Sequence, residues 1–150
     1  MRTDVMEKAL RRNIHTRDVF GGVFAENEVP SRIPQRKNVA YVVNTHPNNM
    51  PGQHWVAFYF AEDTVFYFDS YGRDICYKSF LKFALKRKTN QIVRYRQRLQ
   101  GSGKTCGEYC MYFILAMQGH VDMKVFGSAA NVNDRVVKRI VRKEFSIVKK

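Results

Sequence analysis

The sequence predicts an α+β fold, a mixed or antiparallel β-sheet packed against one buried central helix with amphipathic helices flanking it. Three observations carry this expectation. The segments Val39–Asn44, Trp55–Phe60 and Thr64–Phe68 are runs of β-branched and aromatic residues separated by turn formers. The segment Cys106–Met117 is apolar nearly all round, the mark of a helix enclosed by other elements. Met6, Ala9 and Leu10, and residues 77–88 and 132–145, instead place apolar side chains three and four positions apart, as helices with one buried face do. A chain of 150 residues with 45% hydrophobic content can build its own core, so residues 1–150 read as a single domain.

Taken in order, Met6, Ala9 and Leu10 follow Thr3-Asp4, which predicts a short helix with those two residues at its cap. Gly21-Gly22, Pro30 and Pro34 predict a loop, and Val39–Asn44 a strand. Residues 47–52 are dense in proline, asparagine and glycine and predict a chain reversal. Trp55–Phe60 and Thr64–Phe68, joined by Ala61-Glu62-Asp63, read as a hairpin. In an antiparallel pair the start of one strand lies beside the end of the next, so His54 and Asp69 come to one sheet edge. Residues 77–88 place Phe80, Leu81, Ala84 and Leu85 on one helical face. Residues 91–99 read as a strand with Arg94, Arg96 and Arg98 on one side and Val93, Tyr95 and Leu99 on the other. Gly101-Ser102-Gly103 is a flexible turn, and the helix from Cys106 stops near Gly119 as a glycine cap. Val132, Val136, Val137, Ile140, Val141 and Phe145 mark a last helix with a basic outer face.

The net charge of +13 is unevenly spread. Residues 77–105 hold nine Lys or Arg and no acid, and the last sixteen residues hold seven against Glu144. Such a surface attracts a polyanion through counterion release, so DNA is expected as a partner, with Lys82, Lys86, Arg87, Lys88, Arg94, Arg96 and Arg98 as its contacts. The competing reading is a solvated basic face. Three cysteines without framework spacing, and no long apolar stretch near the N-terminus, suggest a reducing compartment, cytosol or nucleus. The longest apolar run, residues 110–117, is too short to span a bilayer, so no membrane is expected.

The chemistry concentrates on four residues. Cys106 would open the buried helix, where free N–H groups and the helix dipole favour a thiolate nucleophile. His54 can take the thiol proton and return it to a leaving amine, with Asp69 orienting the imidazole. Gln100, six residues before Cys106, supplies an amide donor that can join the Cys106 N–H in an oxyanion hole. Trp55, Gly101 and Gly103 are expected to line the substrate path. Each residue has a plainer role available: His54 as a strand end, Asp69 as a turn former, Cys106 as a small core hydrophobe, the role assigned to Cys110. A zinc site from Cys106, Cys110, His46 and His120 is a further alternative, but it lacks a second close ligand pair, so no metal or small-molecule cofactor is expected.

The motifs Val42-Val43-Asn44-Thr45, Gly52-Gln53-His54-Trp55-Val56-Ala57-Phe58 and Tyr67-Phe68-Asp69-Ser70-Tyr71-Gly72, with Gln100 ahead of Cys106-Gly107, resemble the adenovirus-type maturation protease. Val19-Phe20-Gly21-Gly22-Val23-Phe24-Ala25 resembles an early segment of the same family, which sits within the wider superfamily of ubiquitin-like-protein-specific proteases. The resemblance implies a cysteine protease with His54, Asp69 and Cys106 as triad and Gln100 as oxyanion donor. It also implies viral precursor proteins as substrates, cut at glycine-containing sites during particle maturation in the host nucleus and virion. Activation by DNA and by a short basic peptide attached through a disulfide is part of the same implication. Here Cys76 is the only thiol outside the catalytic helix that could receive the peptide. A monomer is expected. Three rival functions stand beside this one: a protease removing ubiquitin-like modifiers, an acyltransferase reusing the same residues, and a basic DNA-binding virion protein without activity.

Overall fold

Among the described residues, five strands form one sheet in chain order, so each strand lies beside its neighbours in sequence. They are β1 (Phe20–Phe24), β2 (Val39–Asn44), β3 (Trp55–Phe60), β4 (Thr64–Phe68) and β5 (Gln91–Arg94). The helices are α1 (Thr3–Arg12), α2 (Lys78–Ala84), α3 (Cys106–Met117) and α4 (Ala130–Glu144). This is a computed structural model, in which residues 1–34, 38–46, 54–75, 77–87 and 91–147 are described. The expected reversal over residues 47–52 lies outside the described residues, as do Cys76 and Lys88.

The sheet is mixed: β2, β3 and β4 run antiparallel in sequence, while β1 joins β2 and β5 joins β4 in parallel. Helices cover both faces. Ala40, Val42, Ala57, Tyr59 and Phe68 point into a core shared with α1, α3 and α4. The alternate residues Val39, Tyr41, Val43, Val56, Phe58, Phe60, Val65 and Tyr67 point into a second core closed by α2. A strand enclosed on both faces gains nothing from a polar side, which is why β2 is apolar up to Asn44 and buried throughout.

The α+β architecture and the buried α3 match the expectation, and α3 has the expected bounds. Residues 106–115 are all buried, and the helix ends at Gly119, whose φ of +75° lets its own N–H and that of His120 return to Ala116 and Leu115. Other elements differ for identifiable reasons. The Gly21-Gly22 segment is strand β1, not loop, because Gly21 lies flat against the Tyr41 and Val39 side chains, where any Cβ would collide. Helix α1 starts at Thr3 with Arg2 at the cap position and no side-chain cap, while Asp4 pairs with Arg2 at 2.9 Å. Helix α2 is shorter than residues 77–88 and turns a different face inward. Phe80, Phe83 and Ala84 are buried, whereas Leu81 and Leu85 are 41% and 55% exposed. The ring of Phe83 decides this, since it sits edge-on against Tyr41, Phe58 and Phe60 at 5.1–5.5 Å, covering more apolar area than a leucine could. In α4, Val137 and Val141 are buried as expected with Phe145 just beyond, but Val132 is exposed and the polar Asn133 and Asp134 face inward.

Strand β5 stops at Arg94 instead of reaching residue 99. Beyond it the chain leaves the sheet to cross the turn after β4, where the N–H groups of Leu99 and Gln100 both donate to the Ser70 carbonyl at 2.8 and 3.0 Å. Gly72 makes room for the crossing: its φ is +72°, and a Cβ there would strike the backbone of residues 96–98. Of the expected row of three arginines, Arg94 and Arg96 converge on one carboxylate, while Arg98 donates to the Gln100 carbonyl. Arg94 and Arg96 both turn to Asp74, an acid from a segment that the charge count had set apart from them.

Truncating the α2-side core should cost stability. Phe58→Ala, at the centre of that aromatic cluster, is expected to lose about 3–5 kcal/mol in urea denaturation.

Candidate active site

The hairpin of β3 and β4 pairs Ala57 with Phe68, which carries the residue just ahead of β3 and the residue just after β4 to one end of the sheet. Those residues are His54 and Asp69. Imidazole Nε2 lies 2.7 Å from Asp69 Oδ1, with the two residues only 8% and 4% exposed. The same carboxylate oxygen accepts the Tyr71 N–H at 2.8 Å, and the Asp69 carbonyl accepts the Gly72 N–H, so Asp69 forms the turn as well as orienting the histidine. Tyr71 then lies against the imidazole at 4.9 Å and is itself flanked by the guanidinium groups of Arg73 and Arg98.

With Nε2 held by Asp69, Nδ1 is the ring nitrogen left for a thiol. Cys106 supplies that thiol from the first residue of α3. Burial disfavours the charged imidazolium, but hydrogen bonding to Asp69 and to Cys106, and the charges of both, outweigh it and raise His54 to about 9. At neutral pH this keeps the imidazole protonated. Cys110, one turn along and fully enclosed, is pushed far up by burial and by the neighbouring charges, so it stays a protonated core side chain.

The amide of Gln100 is buried and gripped at both ends. Its Oε1 accepts from Ser70 Oγ at 2.6 Å, and its Nε2 donates one hydrogen to the Gly103 carbonyl at 2.7 Å. A second Nε2 hydrogen remains, and an amide plane clamped in this way determines its direction. The Cys106 N–H lies ahead of the first backbone bond of α3, from Tyr109 N–H to the Thr105 carbonyl, and so belongs to the unpaired start of the helix. These are the donors that an oxyanion requires. They border a cleft of about 470 Å³ whose walls include His54, Trp55, Tyr71, Gln100, Gly103 and Cys106.

The structure thus brings together His54, Asp69, Gln100, Cys106, Trp55 and Gly103. Gly101 differs from the expectation: it is not part of the cleft wall, and its missing Cβ leaves room for Asn131 and Asp134 of α4. The basic residues scatter. Lys82 and Lys86 are exposed beside α2, Arg87 is half-buried, Arg94 and Arg96 face Asp74, and Arg98 donates to the Gln100 carbonyl at 3.2 Å within the site. The zinc alternative does not assemble, since among the described residues no three His, Cys, Asp or Glu side chains gather as ligands. His120 instead stacks on His15 and pairs with Glu144 at 2.8 Å. No described helix is long and apolar enough to cross a membrane.

Ser70, Tyr71 and Asp134 were not singled out from the sequence. Ser70 and Tyr71 looked like turn residues, and their hydroxyl and ring acquire a role only from groups that the fold places opposite them. Asp134 had one available signal, a charged residue on the inward face of an otherwise amphipathic helix.

The adenovirus endoprotease family model matches residues 20–139. No curated protein matches the chain by sequence. Among solved structures, a crystal structure of the ASFV pS273R protease superposes with a TM-score of 0.64 at 14% identity, covering 99% of this chain and 67% of that one. A second crystal structure of that protease gives 0.52 at 18% identity, with 76% and 45% covered. The ChlaDub1 structure from Chlamydia trachomatis gives 0.51 at 12% identity, with 75% and 62% covered. The fold is therefore shared with these proteins, and the chain spans about half to two thirds of their length.

The raised His54 sets a pH test. kcat/KM should persist to an alkaline limb near the value of about 9 and fall beyond it as the imidazolium loses the proton it would give to a leaving amine. Any stability that the pair lends the fold is complete below 6.5 and lost as pH passes about 9. In Asp69→Asn the limb should move down by about one unit or more, and kcat/KM should drop roughly 10²–10⁴-fold.

Proposed function

Because the chain belongs to the adenovirus endoprotease family, we propose that it is a cysteine endopeptidase that cuts precursor proteins of a virus or virus-like element during particle maturation. The observation that carries this reading is the convergence of four separate chain segments on one cleft: His54 on Asp69 at 2.7 Å, Cys106 at the start of α3, and Gln100 clamped between Ser70 and Gly103.

In the proposed mechanism the Cys106 thiolate attacks the scissile carbonyl carbon. The oxygen takes up the charge between the Gln100 amide and the Cys106 N–H, donors that are already oriented and need no reorganisation. His54, protonated at neutral pH, gives its proton to the leaving amine, and a thioester remains on Cys106. Water then attacks the thioester, with His54 taking the proton, and the carboxylate product leaves. Asp69 keeps Nε2 occupied so that Nδ1 faces the thiol throughout. A peptide chain lying in the cleft would pass between walls that include Trp55 and Tyr71, and glycine-containing sites are the proposed substrate sequence.

DNA is proposed as an activator or tether, in the host nucleus and virion. Its support is the net charge of +13 and, beyond Lys82 and Lys86, an exposed stripe on α4 formed by Arg135, Arg139 and Lys143 at four-residue spacing. Arg94 and Arg96, engaged by Asp74, are weaker contacts than the sequence suggested. A basic peptide cofactor remains part of the proposal, with Cys76 as its attachment point.

The primary test is Cys106→Ala, which should abolish cleavage of glycine-containing precursor peptides and leave the thermal unfolding transition in place. Cleavage that survives this change would remove the reading, and labelling by a ubiquitin-like aldehyde probe without peptide cleavage would shift the substrate to a folded modifier. For DNA, affinity should fall steeply between roughly 50 and 200 mM salt. Arg135→Glu with Arg139→Glu should weaken binding without altering DNA-free peptide cleavage, and a flat salt response would remove the DNA role.

A further inference from the structure

One buried carboxylate outside the triad gathers more hydrogen bonds than any group within it. Asp134, near the start of α4, accepts from the Gly101 N–H at 3.1 and 3.2 Å, the Gly103 N–H at 3.2 Å, Thr105 Oγ1 at 3.2 Å and the Tyr109 hydroxyl at 2.7 Å. All these donors belong to the stretch that leads from Gln100 into the first turn of α3. Neighbours on α4 hold the same stretch from either side, with Asn133 Nδ2 donating to the Leu99 carbonyl at 3.2 Å and Asn131 Oδ1 accepting the Ser102 N–H at 3.4 Å. Gly101 and Gly103 leave the space that lets the loop lie this close, since a Cβ on either would come within 3.0 Å of Asp134 Oδ2.

A carboxylate only accepts hydrogen bonds, so it can draw several N–H and O–H groups to one point and turn them away from the cleft. Burying it is costly unless its lone pairs are filled, and here they are filled by the loop that carries the amide donor. The connection to the reacting centre is short. Asp134 holds the Gly103 N–H, the Gly103 carbonyl accepts from Gln100 Nε2, and Ser70 holds the other end of that amide.

We propose that Asp134 is a positioning residue for oxyanion stabilisation, fixing the Gly101–Gly103 backbone so that the Gly103 carbonyl aims the Gln100 amide into the cleft. This rests on the reading of Gln100 and Cys106 given above, and goes beyond it by assigning the geometry of the hole to a residue on α4. The role differs from that of Asp69, because Asp134 acts on the donor of the hole and not on the His54–Cys106 pair.

Asp134→Asn keeps the side-chain volume but replaces an acceptor with an NH₂ group facing the loop's own donors. The expected result is a loss of about 10–100-fold in kcat with KM little changed, because the hole binds the transition state and not the ground state. Affinity for a peptide aldehyde, whose adduct fills the hole, should fall in parallel. Alkylation of Cys106 by iodoacetamide, which forms no oxyanion, should keep its rate and pH profile. Gln100→Ala measured alongside separates the two proposals. If Gln100→Ala leaves kcat intact, the reading of the hole itself fails. If Gln100→Ala lowers kcat but a folded Asp134→Asn does not, only the role of Asp134 is overturned. Combining the two changes should cost no more than Gln100→Ala alone, and additive losses, or an alkylation rate that falls with kcat, would equally overturn it. Should Asp134→Asn fail to fold, Tyr109→Phe removes the shortest bond to the carboxylate with the ring retained, and it should reproduce a smaller loss confined to kcat. An unchanged kcat there would count against the proposal.

Discussion

The bond between His54 and Asp69 is the contact around which the site is organised, and it depends on strand pairing. Neither residue belongs to a strand. Each lies just beyond an end of the β3–β4 hairpin, and the pairing of Ala57 with Phe68 decides how they meet. A slip of one residue in that register would exchange the two faces of β4, sending Phe68 toward α2 and Tyr67 toward α3. The two cores that enclose the sheet therefore hold the His54–Asp69 pairing as well as the fold.

The remaining parts of the site reach this point through one crossing. Ser70, next to Asp69, receives the Leu99 and Gln100 N–H groups on its carbonyl and gives its hydroxyl to the Gln100 amide. One residue thus ties the turn after Asp69 to the loop that carries Gln100, and Gly72 admits the passing chain. Helix α4 closes the arrangement from the far side through Asn131, Asn133 and Asp134. Its outer face is cationic, so a polyanion bound there would rest on the helix whose inner face holds the loop.

Charge illustrates why linear reading goes astray. Residues 77–105 contain no acid, yet Arg94 and Arg96 meet Asp74 because β5 lies beside β4 and brings the two segments together. Residues on one face of an imagined strand became an ion-pair partner set and, for Arg98, a brace beside Tyr71. In α2, helical spacing admitted two faces, and only the fit of Phe83 among Tyr41, Phe58 and Phe60 chose between them.

The sequence by itself determined the elements whose signal is local: β2, β3, β4, the all-apolar α3 and its glycine end, and the hairpin that unites His54 with Asp69. It also nominated Gln100 and Cys106, because a nucleophile at a helix start with an amide shortly ahead is visible within a few residues. Tertiary structure decided the rest. Strand β1 exists because Gly21 fits under Tyr41, β5 ends early because the chain must reach Ser70, and Gly101 serves α4 rather than the cleft. Asp134 offers one local signal, a charge on the inward face of α4, but that signal does not say what the carboxylate binds. Its partners lie about thirty positions earlier in the chain, and a buried carboxylate acquires meaning only from the donors that folding brings to it.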